Sequence, residues 1–332
     1  MSTPLLAVED LNVSFNVRTG DPVHAVRDVS FSLDAGERMG LVGESGCGKS
    51  TTLYALMGLL PPNAEVSGRV LVNGVDVLAE GEISVEKYRW TDIAMVFQGA
   101  MNAFNPVKTI GWQIAEPMEV HGTATGKAAM TRVRELLELV GISGDRADRY
   151  PFEFSGGMRQ RAALAMALAC DPKILLADEP TTALDVMVQA QILELLEHLT
   201  DELGLTMILV THDLPMVTET CKRAAIMYAG EIVEVGPTST LYRDPRHVYT
   251  RMLFGAMPDI DEDRSVISIP GTPPRLDRAI VGCAYADRCD QTMDVCRVEA
   301  PLKASVGPNH LAWCHLNDRD RVPQAARAEG VR

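Results

Sequence analysis

The chain has 332 residues, enough for one large domain and a smaller one. Its hydrophobic content of 46% and charged content of 23% are ordinary for a globular protein. Lys plus Arg total 31 and Asp plus Glu total 45, a net charge of −14 that argues against extended nucleic-acid binding. No apolar run reaches the roughly 18 residues a spanning helix needs. The opening MSTPLLAVEDLNV lacks the basic and apolar regions of a signal peptide. A cytosolic chain is therefore expected, with any membrane work done by partner subunits.

In chain order, Leu6–Leu33 is β-like, with Leu11, Val13 and Phe15 alternating and Val29, Phe31 and Leu33 repeating the pattern. Thr19-Gly20-Asp21-Pro22 reads as the turn between two strands. Arg38–Val42 reads as a buried strand feeding a glycine-rich loop. A helix from Lys49 to about Leu60 is expected to stop at Pro61-Pro62. Asp92–Phe97 is a short strand ending at Gln98. From about Pro106 to Ala169 the pattern is helical, with Val133, Leu136, Leu137 and Val140 on one face and Gly141 as a C-terminal cap.

Lys173–Ala177 is an apolar strand ending in Asp178-Glu179-Pro180. A helix over Val186–Leu203 precedes the strand Thr206–Val210, which ends at Thr211-His212-Asp213. Ile226–Tyr228 and Ile232–Val235 read as a hairpin around Ala229-Gly230. Strands alternating with helices predict a mostly parallel core sheet, and the β-rich start predicts an added antiparallel sheet. From Asp244 onward prolines recur and periodicity fades. A domain boundary is placed near Tyr249–Met257, and the residues from about Asn317 read as a frayed tail.

The segment Gly43-Glu44-Ser45-Gly46-Cys47-Gly48-Lys49-Ser50-Thr51 matches the G-x-x-x-x-G-K-[ST] phosphate loop. Its glycines let backbone N–H groups turn around phosphate oxygens, and the following helix points its positive end at the same anion. Lys49 would hold the β- and γ-phosphates, and the Ser50 hydroxyl would bind Mg²⁺. Asp178, at the end of an apolar strand, is placed as the Mg²⁺-directed acid. Glu179 beside it is the candidate general base. Gln98 could reach Mg²⁺ or the attacking water, and His212 the γ-phosphate. Ser155-Gly156-Gly157 precedes a good helix former, with Ser155 as N-cap and amides open to an anion.

Four of the seven cysteines, Cys283, Cys289, Cys296 and Cys314, cluster near the C-terminus in a C-x5-C-x6-C-x17-C pattern. In a cytosolic protein such a cluster reads as metal ligands before disulfides. Four thiolates suit either Zn²⁺ or an iron–sulfur cluster, and the spacing does not decide between them. Cys47, inside the phosphate loop, reads as a tolerated small residue.

Taken in order, these motifs resemble those of the ATP-binding-cassette (ABC) ATPases. Lys49 falls on the Walker A lysine, Gln98 on the Q-loop, Asp178 on Walker B and Glu179 on the catalytic glutamate. Ala183-Leu184-Asp185 falls on the D-loop and His212 on the switch histidine. Ser155-Gly156-Gly157-Met158 falls on the signature, with Met158 where Gln is usual, and Phe15 sits where an aromatic stacks on adenine. FSGGMRQR, FQGAMNAFNP at 97–106 and the cysteine extension narrow the likeness to the oligopeptide/dipeptide importers.

The resemblance implies an α/β P-loop cassette over 1–250 with a helical subdomain at about 99–170. A small Cys-rich extension follows over 251–332. It implies ATP and Mg²⁺ as ligands and tips the cysteine site toward a [4Fe–4S] cluster over Zn²⁺. The implied partners are a second ABC ATPase, with a paralogue favoured, two membrane permeases and an extracytoplasmic solute-binding protein. The place of work is the cytoplasmic face of the membrane. A non-transport ATPase, for DNA repair or iron–sulfur assembly, is the alternative.

Overall fold

The computed structural model describes residues 3–79, 81–99, 103–182, 184–256 and 268–318. Ala100, Met101 and Asn102 of the FQGAMNAFNP stretch, Ala183 of the expected D-loop, Met257 at the expected boundary and the tail beyond residue 318 lie outside them.

Two sheets form the frame. The first is antiparallel and contains β1 (Leu6–Phe15), β2 (Val23–Leu33), β4 (Ala64–Val72) and β5 (Val75–Asp76), in the order β2-β1-β4-β5. The second is mixed. Its parallel part holds β3 (Arg38–Val42), β6 (Ile93–Val96), β7 (Ile174–Asp178), β8 (Thr206–Val210) and β9 (Arg223–Tyr228), in the order β9-β3-β8-β7-β6. Antiparallel β10 (Glu231–Pro237) pairs with β9. A C-terminal hairpin, β11 (Lys303–Gly307) and β12 (His310–Trp313), then joins through β12.

The parallel strands read as unbroken apolar runs because both faces of their sheet are covered. Along β7, Ile174 and Leu176 enter one buried cluster while Leu175 and Ala177 enter another. The first cluster also takes Leu6, Val8 and Leu11 from the antiparallel sheet and Leu53 and Leu56 from α1 (Lys49–Leu56). The second takes the helices: α3 (Ile110–Val120), α4 (Gly126–Leu139), α5 (Gly156–Ala167) and α6 (Val186–Leu203). The helical region thus lies on one face of the core sheet, and α1 and the antiparallel sheet on the other.

The helix α1 ends at Leu56, earlier than the expected Leu60. Gly58 takes φ 59°, and the N–H of Leu59 donates to Tyr54 O at 2.8 Å. A glycine-closed end stops the helix before Pro61 acts. The region from Pro106 to Ala169 is helical in pieces, with short 3-10 turns at Gly144–Asp148 and Pro151–Glu153 before α5. Shorter helices complete the chain: α2 (Glu82–Tyr88), α7 (Leu214–Thr220), α8 (Thr238–Arg243), α9 (Val248–Gly255) and α10 (Asp294–Val298). Among the described residues, no helix is long and apolar enough to cross a membrane.

Side-chain and backbone contacts tie the segment beyond α9 to both sheets. His24 of β2 donates its N–H to Leu276 O at 2.8 Å. His310 on β12 meets Glu234 on β10 at 2.7 Å, and Glu234 also accepts the N–H groups of Arg246 and His247. Glu234 is fully buried, and these three contacts satisfy its side-chain oxygens.

Candidate active site

The phosphate loop leaves β3 at Val42 and enters α1 at Lys49. Gly48, just before the helix, holds φ 108°, a region L side chains avoid. A Cβ there would sit 2.4 Å from the Ala25 carbonyl oxygen, and one at Gly43 would sit 2.1 Å from that of Met227. The loop therefore lies against both sheets, at β2 and at β9, only because those positions are glycine. The first turn of α1 has no acidic side chain, which leaves its positive end free for an anion. Ser45 and Gly46 form the exposed tip, and Thr51 is half-buried.

Lys49 is buried. Its Nζ donates to the Gly43 and Glu44 carbonyl oxygens at 2.8 and 2.9 Å, folding its charge over the loop. Cys47 is buried too, and burial pushes its thiol up, so it is an inert packing residue. Phe15 ends β1 half-buried against the cluster that covers α1.

Asp178 sits fully buried at the C-terminal end of β7, one strand from the loop. Its Oδ1 accepts the Ser50 hydroxyl at 3.0 Å, while its Oδ2 is buried with no hydrogen-bond partner among the described residues. Burial pushes this carboxyl up, the Ser50 bond and Lys49 pull it down, and the charge of Glu179 pushes it up. A buried, half-satisfied carboxylate beside a hydroxyl is a hard oxygen set that suits Mg²⁺.

Glu179 follows at φ 44°, in the left-handed region, and its N–H donates to Val210 O at 2.8 Å. That unusual backbone turns the side chain toward three others. Oε2 accepts from Gln98 Nε2 at 2.8 Å and from the Thr182 hydroxyl at 2.8 Å, and Oε1 lies 3.4 Å from His212 Nδ1. Gln98, Glu179 and His212 follow the ends of β6, β7 and β8, so adjacent parallel strands deliver them to one edge. Thr182 was not foreseen. Its spacing of three from Glu179 in a turn was the available signal.

Ser155 caps α5, its Oγ accepting the Met158 N–H at 3.3 Å. A Cβ on Gly157 would lie 2.7 Å from Val188 Cγ1 of α6, so the second glycine also permits close helix packing. Asp185 caps α6 by accepting the Val188 N–H at 3.0 Å. Ser155, Gly156, Gly157 and Met158 thus stand at the start of a helix packed with α3, α4 and α6, whereas the phosphate loop opens the helix on the other face of the sheet.

The four C-terminal cysteines line one small cavity together with His247 and Tyr285. All four are free thiols. Burial pushes Cys283 up to about 12 and Cys314 up to about 11, and both sense the other cysteines of the set. Among the described residues, no three His, Cys, Asp or Glu side chains converge closely enough to hold a single metal ion.

Comparison with known proteins identifies the family. The family model of the ABC transporter matches residues 26–182. A model of the oligopeptide/dipeptide transporter C-terminal region matches residues 233–296. The chain is 44% identical to a probable peptide ABC transporter ATP-binding protein, y4tR, of Sinorhizobium fredii, over 93% of this chain and 94% of that protein. It is 44% identical to the dipeptide transport ATP-binding protein DppD of Bacillus subtilis, over 95% of each. Among solved structures, the dimeric post-hydrolysis state of the ATP-binding cassette MJ0796 bound to ADP and Pi matches with a TM-score of 0.62. That match has 28% identity over 70% of this chain and 98% of the other. The non-transport alternative is not favoured. This chain belongs to the ABC-transporter ATPases, in the branch that carries the oligopeptide/dipeptide-transporter C-terminal region.

Proposed function

We propose that the chain hydrolyses MgATP to drive peptide uptake through partner permeases. The observation that carries the reading is the meeting of Glu179 with Gln98, Thr182 and His212 beside Asp178, whose Oδ2 has no hydrogen-bond partner among the described residues. The relatives' names, which speak of peptide and dipeptide transport, support the cargo class.

In this reading the amides of the loop beyond Glu44 and the charge of Lys49 receive the β- and γ-phosphates. Ser50, Asp178 and Gln98 would hold Mg²⁺, which when bound neutralises charge on those phosphates. Glu179 takes a proton from the attacking water, and Gln98 and Thr182 fix the carboxylate that does so. His212 steadies the γ-phosphate. Phe15 stacks on the base, and Thr51 and Cys47 complete the loop wall. Ser155, Gly156, Gly157, Met158 and Asp185 serve the nucleotide of a second ABC ATPase, which we take to be a paralogue. Two permeases and an extracytoplasmic binding protein complete the importer on the cytoplasmic face of the membrane. The cassette occupies 1–250, with its helical subdomain near 99–170, and the extension 251–332.

We assign a [4Fe–4S] cluster to the cavity of Cys283, Cys289, Cys296 and Cys314. All four cysteines line one small cavity, and the resemblance to the peptide importers tips the choice from Zn²⁺ to the cluster.

The test is co-purification of the full chain with its permeases, followed by ATPase assays in the presence of the loaded binding protein and a peptide series. Peptide-stimulated hydrolysis supports the reading. A complex stimulated only by a non-peptide solute overturns the cargo assignment.

A further inference from the structure

The phosphate loop is gripped from the cysteine-rich extension. Arg288, next to Cys289, has a side chain only 5% exposed. Its Nη1 and Nη2 donate to the two carboxylate oxygens of Glu44 at 2.7 and 2.8 Å. Nη1 also reaches the Tyr228 hydroxyl at 3.1 Å, and Nε donates to Pro270 O at 2.7 Å. The guanidinium lies 5.6 Å from the Tyr228 ring centre and 5.7 Å from that of Tyr285. A planar fork paired with a carboxylate on both arms is held in one orientation.

Glu44 is the second residue of the loop, and each of its polar groups is engaged. Its N–H donates to the Tyr249 hydroxyl at 2.9 Å, and its carbonyl accepts from Lys49 at 2.9 Å. Its carboxylate goes to Arg288. The loop is therefore fixed at its root while Ser45 and Gly46 stay exposed at its tip. Electrostatics points the same way. An unpaired carboxylate at this position would repel the phosphates the loop receives, and the Arg288 pair both neutralises it and draws it aside. Neither nucleotide chemistry nor a metal site calls for an arginine at position 288.

We propose that Arg288 is a positioning residue for ATP binding, acting through Glu44 to hold the phosphate loop in its receptive shape. The inference rests on the loop being the nucleotide site, and it places control of that site in the turn between Cys283 and Cys289. Because Tyr285 and Cys289 line the cysteine cavity while Arg288 grips Glu44, one short turn serves both sites.

The experiment uses the full-length chain and measures MgATP affinity by fluorescent-nucleotide titration, with KM and kcat of basal hydrolysis alongside. Arg288→Ala should weaken ATP binding about tenfold, because it leaves the half-buried Glu44 carboxylate unpaired beside the incoming phosphates. The same variant should raise KM by a similar factor while kcat at saturating ATP stays within about twofold. Adding Glu44→Ala to Arg288→Ala should restore part of the lost affinity, since the repelling charge is gone. If Arg288→Ala does not fold, Arg288→Lys and Glu44→Gln decide the matter through the same KM shift. ATP affinity within about twofold of the parent in a folded Arg288 variant overturns the proposal. So does a double variant whose loss is the sum of the two single losses. Failure of Lys49→Ala to weaken ATP binding would instead overturn the nucleotide-site assignment itself.

Discussion

Gln98 and Glu179 lie 81 positions apart in the chain and hydrogen bond at 2.8 Å. They do so because β6 and β7 are neighbouring parallel strands, so both strand ends open on one edge of the sheet. The bond passes from the residue just before the helical region to the carboxylate that follows Asp178, and so ties the approach to that region to the end of β7.

Glu179→Gln should bind MgATP with near-parental affinity and lose turnover by about two to four orders of magnitude, the range for removal of a general base. Binding by nucleotide titration and hydrolysis by phosphate release check the two halves separately. Normal turnover in this variant would sink the assignment of Glu179.

Gln98→Ala should lower kcat less than Glu179→Gln does, because Thr182 still holds Oε2 at 2.8 Å. Thr182→Ala alone should behave similarly. The double variant should fall further than either single one, since the two share one carboxylate oxygen. Single-turnover rates across this set are the measurement.

Ser155→Ala removes the cap on α5 and should cost about 1 kcal/mol of stability. Because we assign Ser155 to a partner's nucleotide, ATPase activity of the assembled pair should drop well beyond what that loss explains. Equal, small losses in melting temperature and activity would reduce Ser155 to a helix cap.

Gly157→Ala places a Cβ about 2.7 Å from Val188 Cγ1 and should destabilise by about 1–3 kcal/mol through overpacking. Trimming the neighbour with Val188→Ala should recover much of it. Thermal melts of the two singles and the double test the contact.

Anaerobically purified protein should show iron, acid-labile sulfide and a broad visible absorption. Cys296→Ser should lose all three and unfold at lower temperature, since a metal group supplies folding energy in a small segment. Stoichiometric zinc without iron would replace the cluster by a single-ion site.

Much of the cassette could be read from local pattern. The β3 strand, phosphate loop and start of α1 are contiguous, and so are the β7 run and its Asp178-Glu179 end. These features depend on neighbours in sequence. The strands β4 and β5 were not read, because β4 is AEVSGRVLV with its first residues exposed and only Val70 and Val72 fully buried. The hairpin β11–β12 escaped for a different reason: its His310 is buried by a partner 76 positions away. Arg288 was likewise illegible, as its partner Glu44 lies 244 positions upstream. Within the site, the strand ends were legible one by one, whereas the convergence of Gln98, Thr182 and His212 on Glu179 needed the strand order. The order of strands in a sheet is a property of the whole chain.

The pairing of β12 with β10 bears on how the extension can be probed. Leu311 and Ala312 occupy the hydrogen-bonding edge of β10 at Val235 and Glu234. Deleting everything beyond residue 250 would bare that edge for association with other strands and take His310 from a buried carboxylate. A truncated chain that aggregates would therefore report a torn sheet, so point substitutions at single cysteines are the sound way to isolate their contribution.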